Sequence, residues 1–188
     1  MNKWVLPHRE VSQKQQRILL GIAAIGGFTG YWLGGADTTL PYRVRILLAL
    51  AAVGAGATVD FFRKRIPNLC SLVLVGGFVV CTVLDYILSP ENALWVLISS
   101  LLGGIGLLGG LSLCRLISRG GIGIGDIKLV SASGLVLGLY SGFAALLIAQ
   151  IAAVVAALLL LATKRAGWKD SMPFGPLFWL GVLGCLLL

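Results

Sequence analysis

Charge is what this sequence has little of. Only 12% of its 188 residues are Asp, Glu, Lys or Arg, and 58% are hydrophobic, whereas a soluble domain carries about 25% charged residues. So little charge cannot cover a globular surface, so the chain's solvent must be largely lipid. Histidine is nearly absent: His8 stands alone, distant in sequence from every other candidate residue, so neither a Ser/His mechanism nor a histidine metal site is indicated. The four cysteines, Cys70, Cys81, Cys114 and Cys185, form no CxxC pair. Zinc and dithiol redox motifs are therefore not indicated, and the cysteines read as small apolar filler. No linker or low-complexity tract interrupts the chain, and its length allows one compact bundle. The formal net charge of +8 does not point to nucleic acid, because the basic residues lie in short clusters between apolar runs rather than in one patch.

Long apolar runs are what the sequence does have. A bilayer core of about 30 Å needs roughly 20 apolar helical residues. On that measure the chain is an all-α, polytopic transmembrane helix bundle with seven spans, at about 18–34, 44–61, 69–88, 93–117, 127–140, 142–162 and 174–188. The fifth and seventh are short for a full crossing. The opening MNKWVLPHREVSQKQQR is too long and polar before its apolar run for a cleaved signal peptide, so the first run is expected to be retained as a helix. With the N-terminus in the cytoplasm, all of the 15 basic residues except Arg43 and Arg45 fall on the inside, as the positive-inside rule requires. The 26 glycines suit close helix packing, and the pairs Gly103-Gly104 and Gly109-Gly110 mark a tight face on the fourth span. Residues 1–42 read as a cytoplasmic segment plus anchor helix, and 43–188 as the functional domain.

Seven residues are acidic. Glu10, Asp37, Asp85, Glu91 and Asp170 read as solvated charges in loops or at helix ends. Asp60 and Asp126 differ. Asp60 closes the apolar run AAVGAGATVD, and Asp126 sits in RGGIGIGDIKLV, where alternating Gly121, Gly123 and Gly125 lead into the next run. An aspartate at mid-span costs about 2.5–3.5 kcal/mol on insertion scales, and an ionisable group near a span is a functional hypothesis by default. Structural readings compete: Asp60 can pair with Arg63 or Lys64 along its helix, and Asp126 can cap the helix starting at Ile127. Pro67 ends the extension of the second span, and Asn68 is a candidate cap for the third. The glycines do not form a dinucleotide fingerprint, because no strand precedes them. Two carboxylates on different helices can share one water. Repulsion keeps one protonated while the other stays ionised, a division of labour suited to activating water against a peptide carbonyl. The competing functional class is a non-enzymatic membrane transport or assembly protein that uses the acidic pair for ions or partners.

At three places the residues resemble one family, the type IV prepilin peptidases, which are membrane aspartic proteases of the GxGD kind. Asp60 followed by Arg65-Ile66-Pro67-Asn68 resembles its Asp-x5-IPN segment. Gly123-Ile124-Gly125-Asp126-Ile127-Lys128-Leu129 resembles its GxGDxKL segment. Pro173-Phe174-Gly175-Pro176 is a weaker third match, and together they cover about residues 45 to 188 in order. The resemblance implies that Asp60 and Asp126 are the catalytic pair, with Gly123, Gly125, Lys128, Pro67 and Asn68 shaping the site or its substrate contacts. It implies no metal or other cofactor in catalysis. The implied substrate is a prepilin or pseudopilin whose short basic leader is removed at the cytoplasmic face of the bacterial inner membrane, with membrane lipid as a further partner and no nucleic acid. The chain departs from the longer, bifunctional members. It lacks their CxxC-bearing insert, so it resembles the peptidase-only form, with no S-adenosylmethionine site expected.

Overall fold

A computed structural model describes residues 40–63, 66–163 and 173–187. The first expected span, 18–34, lies outside these residues. Among the described residues there are six helices and no strand: α1 Leu40–Arg63, α2 Asn68–Leu88, α3 Pro90–Ile117, α4 Ile124–Leu137, α5 Leu139–Ala162 and α6 Gly175–Leu187. Four of them, α1, α2, α3 and α5, are long and apolar enough to cross a membrane. The protein is a helical membrane bundle.

The helices do not face lipid equally. In their most apolar windows 56% of α1 is buried, against 17% of α2 and 11% of α5, so α1 runs through the interior while the other two present leucine and valine to the acyl chains. The core cluster joins Leu50 and Val53 of α1, Leu74 of α2, Leu107 of α3, Leu129 and Val130 of α4, and Phe178 and Val182 of α6.

The expected span 127–140 is a helix shorter than a bilayer core is thick. Helix α4 has 14 residues, about 21 Å of rise, and Gly138 breaks the chain at φ 85° before α5 begins at Leu139, ahead of the expected 142. The break is tolerated because protein, not lipid, meets its polar groups. The Gly138 N–H donates to Gly134 O at 2.9 Å and the Leu139 N–H to Ser99 Oγ at 3.1 Å. Helix α4 buries Ile127, Leu129, Val130, Ala132 and Val136 together with two serines and Gly134, packed against α1, α2, α3 and α5. Backbone meets backbone where α3 crosses it: a Cβ on Gly103 would stand 2.7 Å from Gly138 C and 2.8 Å from Gly134 O. Gly109-Gly110 does not share in this contact, since among the described residues a Cβ at either would meet nothing within 4 Å.

The Asp85 expectation is also corrected. Asp85 is buried, 7% exposed, and forms an ion pair with the equally buried Arg45. Arg45 Nη1 also donates to Ser100 Oγ at 2.9 Å and to Val136 O at 3.4 Å. One guanidinium thus ties α1 to α2, α3 and α4, and Arg45 is not a loop charge reporting topology. The sequence offered no sign of this, because the partners lie 40, 55 and 91 residues away. Removing one member of such a pair strands the other's charge, at about 3–5 kcal/mol, whereas an apolar replacement of both is often neutral. Asp85→Ala or Arg45→Met alone should therefore lower stability by about that amount, and Arg45→Met with Asp85→Leu should recover most of the loss, as read by unfolding of the detergent-solubilised protein.

Candidate active site

Asp60 lies in the last turn of α1 and is 6% exposed. Its Oδ2 accepts the backbone N–H of Gly175 at 2.9 Å, across 115 residues. Gly175 opens α6, so the carboxylate sits at a helix N-terminus, where unpaired N–H groups and the helix dipole favour negative charge. The approach is close. A Cβ would come to 3.0 Å from Ala57 Cα and from both Cβ and Oδ2 of Asp60. The flanking residues suit the position. Pro176, in the first turn, gives up an N–H that has no intrahelical partner, and Phe174 stacks on the buried Phe178 at 6.1 Å. Of the PFGP segment, then, Gly175 is the residue that reaches the site, and the sequence had marked the segment without assigning it that role.

Asp126 is the third residue of α4 and not its cap. The N-cap is Gly123, in extended conformation, and Asp126 reaches back to the Gly123 backbone N–H, the acidic half of a capping box. A Cβ on Gly123 would lie 2.7 Å from Asp126 Oδ2. Burial first, and the negative charge of Asp60 second, raise the Asp126 carboxyl to about 6, against a partial lowering by the Gly123 hydrogen bond. That Asp60 acts on Asp126 at all shows that the fold brings the ends of α1 and α4 together.

The remaining expected residues divide. Gly125 packs against the Ile66-Pro67 turn, where a Cβ would stand 3.2 Å from Ile66 Cβ. Pro67, in extended conformation, is the N-cap of α2, without a side-chain cap. Asn68 is therefore not the cap; it is the first helical residue, and its Oδ1 accepts from Lys128 Nζ at 3.4 Å. Lys128 bridges exposed ends of α2 and α4 and does not figure among the causes acting on Asp126.

One further residue had counted only as a topological charge. Arg115 donates to Ile122 O, tethering the glycine-rich approach to Asp126. Helix α3 ends in a Schellman motif, with Gly120 N–H bonded to Arg115 O at 2.9 Å and Arg119 N–H to Leu116 O at 3.2 Å. Arg119 takes the left-handed conformation, φ 51°, that glycine would ordinarily supply. Among the described residues no group of three or more His, Cys, Asp or Glu comes together as a metal site.

The two carboxyls are electrostatically coupled, and the coupling can be measured. In Asp60→Asn the Asp126 titration midpoint should fall from about 6 but stay above the ordinary 3.8, since burial persists. Infrared titration of the protonated carboxyl band reads this directly.

Compared with curated proteins and with solved structures, the chain has no match. The family model of the type IV leader peptidases does match, over residues 44–159. The matched region takes in α1 through most of α5, and with it Asp60, the Ile66-Pro67-Asn68 turn and the glycine-framed Asp126, while Gly175 lies beyond it. On that match this membrane protein belongs to the type IV leader peptidase family.

Proposed function

We propose that the chain is an aspartic endopeptidase that removes the short basic leader of type IV prepilins or pseudopilins at the cytoplasmic face of the bacterial inner membrane. The observation that carries this reading is the pairing of a buried Asp60, held by the Gly175 N–H, with an Asp126 raised to about 6 by burial and by the charge of Asp60. The raised Asp126 is suited to the role of acid, which leaves Asp60 as the base. Asp60, as the base, takes a proton from water, and the resulting hydroxide attacks the leader's scissile carbonyl carbon. Asp126, protonated, donates a hydrogen bond to the carbonyl oxygen and then transfers its proton to the leaving amine as the C–N bond breaks. Each carboxyl ends in the other's starting state, and a proton transfer between them resets the site.

The remaining parts of the proposal have their own support. The clusters of Lys and Arg favour a cytoplasmic N-terminus and seven spans, counting the run 18–34, and the burial of Arg45 leaves Arg43 as the one basic residue assigned outside. Residues 43–188 would form the catalytic domain. The Lys128–Asn68 hydrogen bond and the Gly125–Ile66 contact would keep the two motif segments in register. Paired acids also serve ion pathways, but those usually lie toward mid-membrane, whereas Asp60 ends α1 and Asp126 begins α4.

Co-expression with a prepilin, reading leader loss by mass shift, tests the assignment. Asp60→Asn and Asp126→Asn should each reduce cleavage by about 10²–10⁴-fold or more while leaving the protein inserted in the membrane, and cleavage by either variant at the parent rate overturns it. Because Asp126 must be protonated, the rate in membranes should also fall as pH rises through about 6.

A further inference from the structure

At the end of the bundle away from the aspartates lies a cavity of about 620 Å³, lined by the start of α1, the end of α2, the start of α3 and the junction of α4 with α5. From Arg45 to Asp60 along α1 is about 22 Å at 1.5 Å per residue, so this cavity and the carboxyl pair occupy opposite ends. Its volume suits a small polar ligand.

Four aromatic side chains stand exposed at the same end: Tyr42 near the start of α1, Tyr86 near the end of α2, Trp95 in α3 and Tyr140 at the start of α5. Aromatics so placed mark the membrane–water interface, at the level of the lipid headgroups. Two of them, Tyr42 and Trp95, line the cavity itself.

The cavity's charges are Arg45 and Asp85, paired with each other and both buried. The pair is neutral, so it does not select a simple anion. It nevertheless leaves one donor over. The Arg45 side chain is about nineteen-twentieths buried, and its Nε–H has no acceptor among the described residues. A buried, unanswered guanidinium donor is costly, and a ligand oxygen would relieve it. Asn92, on the cavity wall, adds a further amide.

We propose that this cavity is a binding site for the headgroup of a zwitterionic phospholipid bearing a primary ammonium, that is, a phosphoethanolamine headgroup. A phosphate oxygen accepts from Arg45 Nε–H and from Asn92, and the ammonium donates to the Asp85 carboxylate. The headgroup thus matches the cavity's one positive and one negative group, and its acyl chains run down the apolar outer faces of α2 and α3. A quaternary ammonium has no N–H to give Asp85, and an anionic glycerol headgroup has no cation for it.

Native mass spectrometry of the delipidated full chain, offered phosphatidylethanolamine, phosphatidylcholine or phosphatidylglycerol, tests this without reference to peptidase activity. One phosphatidylethanolamine should be retained per chain, with an affinity about tenfold above that for phosphatidylcholine. Val96→Trp, which fills the cavity, and Asn92→Leu, which removes a polar wall group, should each lose that preference. Leu147→Trp, on the exposed face of α5, should keep it. Equal retention of ethanolamine and choline lipids, stronger retention of phosphatidylglycerol, or an undiminished preference in both cavity variants overturns the proposal. Should Val96→Trp not fold, Asn92→Leu alone carries the result.

Discussion

The architecture depends on one short helix seated by backbone contact. Helix α4 is shorter than a bilayer core is thick, and the break at Gly138 leaves backbone groups that need partners in the protein. It survives because α3 approaches it at Gly103 and Gly134 with no side chain between them, and because Ser99 meets the first amide after the Gly138 break. Close approach of this kind replaces the hydrophobic drive that lipid does not supply. Its consequence for the site is positional. Seated in this way, α4 carries Asp126 to the end of α1, where Asp60 lies.

Buried charge is handled in opposite ways at the two ends of the bundle. At one end Arg45 and Asp85 neutralise each other, with Ser100 and Val136 taking further donors. That arrangement braces four helices. At the other end two groups of like sign lie within reach of each other's charge, and each accepts a backbone N–H, of Gly175 for Asp60 and of Gly123 for Asp126. Like charges in such proximity favour retention of a proton on one of them. The bundle therefore separates a charge pair that serves cohesion from one suited to proton transfer.

The family resemblance was legible because the motif segments are local. Asp60 with Ile66-Pro67-Asn68, and Gly123-Ile124-Gly125-Asp126, can be read as strings, and the family match covers both. The helical character was legible too, since apolar runs of about 20 residues have few alternatives in lipid. What misled was inference from type and position. Asp85 near a helix end resembles a solvated charge until Arg45, 40 residues away, comes to face it. Asn68 has the chemistry of a cap, yet Pro67 takes that place and the amide serves Lys128. Gly109-Gly110 has the composition of a packing face, and among the described residues none lies near it.

The sequence by itself determined the solvent, the helices and the two aspartate-bearing segments. Each follows from properties of consecutive residues: hydropathy, length and short-range spacing. The tertiary structure decided what those segments meet. It brought the α6 entry to Asp60 from 115 residues away, placed Asp126 within reach of Asp60's charge, and set Arg45 against Asp85 at the far end. Such contacts depend on which helix faces which, and that is fixed by side-chain volume and backbone clearance at crossings such as Gly103 on Gly134, quantities that no stretch of sequence contains until the helices are packed.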